Sequence, residues 1–344
     1  MDPEQSPPSE KTSLLTQSES GLANISSSGS PSLSEIMSRS LIHIQTSKIL
    51  TTRHRIGSHE LCDPDYRLVC SWAEELRLTQ EDVFERMIEK NKNCPPGWRT
   101  VIDDGEFKSL SINGDNLPIS GIPAINGLKI AKLRLRGFEL TLTTSDPKPY
   151  IRELDLSSVP YLTALDCDLN SSLEEIDLGS VPRLQSLFCR NASDLLELDL
   201  SLVPRLRALC CDGKEIARID FSAVPDLLEL VCGSPEEWLL SGIWNDDPIN
   251  MLDLRLLPKL KYLDCSYNRL AKLDLIGVPH LETLRCSSNQ LTALNLANVC
   301  GLTILDCSSN LLRELDIRPL KYLEKIECDF DDVRIIQRPD QNFK

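Results

Sequence analysis

From Leu260 the chain reads LKYLDCSYNRLAKLDLIGVPHL, and from Leu281 it reads LETLRCSSNQLTALNLANVCGL, the same template 21 residues on. A unit this short cannot bury its own apolar face, so copies of it must stack and share one core. Aligned, they give L-x-x-L-x-C-x-x-N-x-L-x-x-L-D-L-x-x-V-P-x. The core element begins eight times, at Leu154, Ile176, Leu198, Ile219, Leu252, Leu273, Leu294 and Leu315. Within it, x-L-x-C-x alternates like a strand, with Leu and Cys inward and their neighbours outward. Eight such strands paired in parallel would span on the order of 38 Å at about 4.8 Å per coil.

The cysteines follow the repeat. Cys167, Cys189, Cys211, Cys232, Cys265, Cys286, Cys307 and Cys328 are separated by 22, 22, 21, 33, 21, 21 and 21 residues. None forms a close C-x-x-C pair, which disfavours zinc. A small apolar residue at one inward position suits buried, reduced thiols and a reducing compartment. Asn170, Asn268, Asn289 and Asn310 sit three residues after their cysteines, where an amide can satisfy backbone groups left by the departing strand. Ala192, Lys214 and Pro235 break that series, so a less regular edge is expected there. Asp155, Asp177, Asp199, Asp220, Asp253, Asp274 and Asp316, with Asn295, form a second column. We read these as outward polar positions on a second short strand, because the closely spaced glycines of calcium-binding repeats are absent. Pro160, Pro182, Pro204, Pro225, Pro258 and Pro279 suit a convex turn without a ladder.

Outside the array the composition changes. Residues 1–58 are rich in Ser, Thr and Pro, and are read as a disordered arm holding His43 and His54. Leu41 to Leu50, LIHIQTSKIL, is an apolar island in it and a candidate chaperone-binding strand. Residues 59–100 read as a helical hairpin capping the array. Asp63 with Pro64 starts one helix, Tyr66, Val69, Cys70, Ala73 and Leu76 share its face, and Thr79 with Asp82 starts the next. Residues 101–150 read as degenerate first repeats, with strands at Phe107 to Ile112 and Ile130 to Gly137. The regular solenoid covers 151–330, with an insert at 233–251, and 331–344 form a C-terminal tail.

The template resembles a bacterial leucine-rich repeat, similar to the repeat region of YopM-like and IpaH-like type III secretion effectors. The resemblance implies a solenoid of 21-residue coils with a concave parallel sheet, a helical-hairpin cap and a flexible N-terminal secretion segment. It also implies export from the bacterial cytoplasm into a host cell and binding of a host protein. IpaH-like ligases carry a catalytic domain after the repeats; here only DFDDVRIIQRPDQNFK follows.

The remaining signals concern partners. The chain holds 37 Lys and Arg against 52 Asp and Glu, which argues against nonspecific nucleic-acid binding. It has no apolar run long enough to span a membrane and no ordinary secretory signal. No histidine is placed for a nucleophilic triad, and neither a phosphate loop nor HExxH occurs, so no catalytic residues, cofactor or metal are expected. The outward strand positions carry eight acids against three bases, which points to a basic protein segment. The candidate partner-binding residues are Phe188, Arg190, Glu229, Tyr262, Asp264, Arg285 and Asp306 on the strands. Trp238 and Trp244 join them from the insert, where Ser234, Pro235 and Glu237 form a helix start. Two other readings stand beside this one: an intracellular repeat scaffold without a secretion role, and an enzyme with a site in the hairpin or insert.

Overall fold

The computed structural model describes residues 53–57, 59–85, 100–103, 106–113, 130–136, 151–192, 194–195, 197–212, 216, 218–233, 248–341 and 343. The N-terminal arm through residue 52, with Leu41 to Leu50, lies outside them. Its expected end at residue 58 is corrected: Arg53–Ile56 is a strand, paired antiparallel with His59–Cys62 around Gly57, whose φ is 56°. His54 belongs to this hairpin and stacks on Tyr66, ring centroids 4.1 Å apart, which is why a polar stretch is held there.

Two helices follow. α1 spans Asp63–Leu76, with Cys62 as its N-cap, so Asp63 lies inside the helix and does not cap it. α2, Gln80–Val83, begins on the expected capping box, with Thr79 and Asp82 each bonding the other's backbone. Trp72 on α1 is fully buried and meets Phe107 at 6.4 Å between ring centroids. Asp65 Oδ2 accepts the Phe107 N–H at 2.6 Å. Asp65 is itself buried, so this bond satisfies both groups and fastens α1 to the first long strand.

That strand, Glu106–Asn113, and Lys132–Arg136 are the two early strands expected from the sequence, and they pair in parallel. The sheet continues through Ala164–Asp166, Ser186–Phe188, Ala208–Cys210, Glu229–Val231, Tyr262–Asp264, Thr283–Arg285, Ile304–Asp306 and Lys325–Glu327. Leu133, Leu165, Leu187, Leu209, Leu230, Leu263, Leu284, Leu305 and Ile326 stay in register across it. The 33-residue interval does not interrupt the sheet, because Leu230 pairs directly with Leu263.

Seven of the eight ladder cysteines are buried beside these leucines, and Cys328 is half-buried at the last coil. Burial pushes the Cys265 and Cys286 thiols well above their usual range, and burial with Asp329 raises Cys328 to about 11. A thiol that cannot ionise is inert.

Each asparagine closes its coil. Asn289 Nδ2 donates to the carbonyls of Cys265 (2.9 Å), Cys286 (3.1 Å) and Ser287 (3.2 Å), while its Oδ1 accepts the Leu270 N–H at 3.0 Å. Asn310 and Asn268 repeat the pattern, and Asn268 reaches across the long interval to the Cys232 carbonyl. The residue just before this position is left-handed: Leu169, Asn191, Tyr267, Ser288 and Ser309 have φ between 52° and 63°. The cross-coil amide bonds help hold a backbone that non-glycine residues rarely adopt.

The aspartate column has a role the sequence reading missed. Asp155, Asp199, Asp220, Asp253, Asp274 and Asp316 each accept the backbone N–H two residues on, and Asp177 accepts that of Ser180. They cap the convex turns, three of which are 3₁₀ helices: Leu178–Ser180, Leu200–Leu202 and Phe221–Ala223. At the far end the tail is structured: Arg334–Ile336 pairs with Glu314–Asp316. Gln341 donates to the carbonyls of Ile317 and Leu320, at 3.0 and 2.7 Å.

Two outcomes are expected. Asn289→Ala should lower the unfolding free energy by about 2 kcal/mol, since it orphans buried backbone groups on two coils; urea denaturation measures this. In native protein treated with a thiol reagent and mapped by mass spectrometry, exposed Cys300 should label quickly, and Cys265 and Cys286 only on unfolding.

Candidate interaction surface

The outward positions of the parallel strands form three rows across the concave face. The row before the cysteines runs Asp166, Phe188, Cys210, Val231, Asp264, Arg285, Asp306, Glu327, each paired in register with the next. It is apolar through Phe188, Cys210 and Val231 and charged from Asp264 on. Tyr262, on the same strand as Asp264, stands where the character changes.

A groove of about 740 Å³ runs along this face. Six of the expected residues line it: Phe188, Arg190, Tyr262, Asp264, Arg285 and Asp306. Glu229 is exposed on the strand beside Tyr262, outside the groove lining. Trp238 and Trp244, with the whole stretch 234–247 and its expected helix start, lie outside the described residues. Tyr267, Ser288 and Ser309 also line the groove, and sequence reasoning missed them. They occupy the left-handed turn position, which has no signature when glycine is absent. Gly233 did carry a signal: a Cβ there would sit 2.5 Å from the Ser266 carbonyl, so only glycine lets the two coils approach so closely.

The acidity of the face is redistributed relative to the sequence expectation. Asp166 and Asp168, read as exposed, are buried. Asp166 pairs with Arg134 at 3.1 Å, and Asp168 with Arg190 at 2.8 Å. Asp168 also accepts the Arg190 N–H at 2.8 Å. Burial opposes the charged Arg190 guanidinium, but the Asp168 charge outweighs it and raises the pKa. Such pairs form because a buried carboxylate without a cation is far costlier than a buried pair. Ser266 and Ser287, also expected outward, are buried against their neighbouring coils.

Negative charge is therefore concentrated in the later coils. Asp264 and Asp306 flank Arg285 on paired strands, and Glu327 follows. Each aspartate spends one oxygen locally, on the N–H of Ser266 or Ser308, and has acceptor capacity left. Half-burial and then the Asp264 charge raise the pKa of Tyr262, so its hydroxyl stays a neutral donor at physiological pH. Among the described residues no cluster of three or more His, Cys, Asp or Glu could hold a metal ion. His54 and His59 pack within the cap, His59 against Phe84 at 4.9 Å.

Short coils, an inward leucine ladder, an asparagine after each regular strand and capped convex turns define a leucine-rich-repeat solenoid. That is the fold of this chain. A family model described as leucine-rich repeats, two copies, matches residues 258–298. Among solved structures, the functional domain of InlJ from Listeria monocytogenes, described as including a cysteine ladder, is 24% identical with a TM-score of 0.43. That match covers 64% of this chain and 53% of the other. A TLR13–ssRNA13 complex is 20% identical, with a TM-score of 0.39 over 57% of this chain and 32% of that one. The internalin InlF from Listeria monocytogenes is 14% identical, with a TM-score of 0.31 over 70% and 92%. The chain thus spans about half of the InlJ chain and a third of the TLR13 chain. Comparison with curated proteins gave no match.

Arg190 emerges as a structural residue as well as a groove residue. Arg190→Ala should destabilise the fold by about 3 kcal/mol, because Asp168 would remain buried without its cation. Arg255→Ala, which removes an exposed pair with Asp253, should leave stability unchanged. Parallel denaturation curves decide this.

Proposed function

We propose that this chain is a non-enzymatic protein-interaction module that takes a partner segment along its concave groove. The observation that carries this reading is the convergence of Phe188, Val231 and Tyr262 with Asp264, Asp306 and Glu327 in one continuous groove. An apolar half followed by a mainly acidic half suits a segment with apolar residues toward the earlier coils and basic residues toward the later ones. Arg285, between two aspartates, would take an acidic or carbonyl group. The aromatics would supply most of the affinity, and the exposed charges mainly the association rate. Trp238 and Trp244, carried by the insert that leaves directly after a concave strand, are proposed as further anchors at the rim.

We place this module in an effector exported by a bacterium into a host cell, with residues 1–52 as the export segment and Leu41 to Leu50 docking on a secretion chaperone. The Ser- and Pro-rich composition of that segment and its apolar island support this reading. A secretion reporter fused to residues 1–60 tests it: export is expected, and loss of export when Leu41 to Leu50 are deleted.

Affinity purification from host lysate should supply a partner for the groove. Tyr262→Ala should then weaken its binding by roughly 2 kcal/mol, near thirtyfold, with the fold intact. Glu229 is the cleaner charge probe, because Asp264 and Asp306 also bond their own turns. Glu229→Lys should slow association most at low salt. Unchanged affinity in Tyr262→Ala, with loss on changing convex Leu202 or Ile276, would assign the wrong face.

A further inference from the structure

A second surface lies on the rim where the convex turns enter the concave strands, outside the groove. In this acidic chain, successive coils place Tyr161, Arg183 and Arg205 at one repeat position, 22 residues apart each time. Arg207 sits two residues beyond Arg205, immediately before the strand Ala208–Cys210. Backbone bonds stack it between its neighbours: the Arg207 N–H donates to Gln185, and the Arg207 carbonyl accepts from Leu228, both at 2.8 Å. Coils lie about 4.8 Å apart, so three exposed guanidinium side chains share one small area.

Farther along, the same two repeat positions alternate in sign: Asp226 and Lys259 follow Arg205 in one column, and Lys261 and Glu282 follow Arg207 and Leu228 in the other. Adjacent coils pair opposite charges in Arg152–Glu174, Lys259–Asp226, Lys261–Glu282 and Arg334–Glu314, at 2.5 to 3.3 Å. Arg183, Arg205 and Arg207 have no ion-pair partner among the described residues. Asp226, on the next coil, pairs with Lys259 and also feels the Arg207 charge, so Arg207 is compensated in part while Arg183 and Arg205 follow one another as like charges. Stacked like charges repel, and packing does not require them at exposed positions. Arg183 also lies over the ring of half-exposed Tyr161, 5.7 Å from its centroid, which orients one fork and leaves an aromatic edge beside it.

We propose that Tyr161, Arg183, Arg205 and Arg207 form a second binding surface, for a carboxylate-rich protein segment carrying an apolar residue. Guanidinium forks match carboxylates bidentately, and Tyr161 offers the apolar contact. A long polyanion or an anionic bilayer fits less well, because the chain carries a formal net charge of −15 and its field would repel an extended negative surface. This surface goes beyond the groove reading and stands or falls without it.

Fluorescence anisotropy of the full chain with a labelled peptide of alternating Glu and Gly around one Phe tests the proposal. The Glu peptide should bind and weaken as salt rises, and its Gln counterpart should not bind. Arg183→Glu with Arg205→Glu should lower affinity about tenfold or more, and the milder pair Arg183→Gln with Arg205→Gln should also lower it. Arg313→Glu and Tyr262→Ala should leave it unchanged, with melting curves reporting the fold. Equal binding of the Gln peptide, or full binding by both double variants, would overturn the proposal. So would tighter binding of oligo-dT or phosphatidylserine vesicles than of the Glu peptide.

Discussion

Every coil of this solenoid must turn its backbone out of the sheet without stranding polar groups in the core, and in the regular coils a single asparagine amide solves that problem. Asn268, Asn289 and Asn310 each bond carbonyls on two coils while accepting an N–H from a third segment of chain. These bonds run between coils as well as within them, so each amide both closes its own turn and locks the stacking distance. The leucine and cysteine ladders then pack at a fixed spacing. Where Ala192, Lys214 and Pro235 stand at the asparagine position, the strand ladder alone keeps the register, as the pairing of Leu187, Leu209, Leu230 and Leu263 shows. Ala192 has no amide to offer, and beside it the Asp212 carboxylate on the following coil accepts the N–H of Asn191.

The same accounting explains the charge pattern of the concave face. Aspartates on the first coils are covered and need cations, which Arg134 and Arg190 supply. Those pairs remove the charge of the early coils from the surface field. What remains is an apolar floor next to an acidic one, divided at Tyr262. The groove is therefore directional, and a partner that fits it one way round meets like charge and mismatched polarity the other way.

The solenoid was legible because its constraint is periodic: a leucine, a cysteine and an asparagine recur at one interval, and each has a physical reason to sit there. Six groove residues could be named for the same cause, since strand alternation assigns outward positions without knowledge of neighbours. Less was legible where a contact links residues far apart in sequence. The Asp65–Phe107 bond, the burial of Asp166 and Asp168, and the Gln341 bond to the Ile317 carbonyl depend on what lies opposite, and a linear pattern does not hold that information. The left-handed turn residues escaped for a different reason, because Leu169, Tyr267, Ser288 and Ser309 adopt a conformation that their side chains do not advertise. The aspartate column was seen but misassigned: as a repeated acid it suggested a strand surface, and its oxygens cap turns.

If the groove between Phe188 and Glu327 is where a partner is met, site-specific photo-crosslinking should find it there. A benzophenone side chain placed at Phe188, at Tyr262 or at convex Ile276 would be irradiated in the presence of the purified partner. Crosslinks from Phe188 and Tyr262, with none from Ile276, are the predicted result. Crosslinks from Ile276 alone would contradict it and move the binding surface to the convex side.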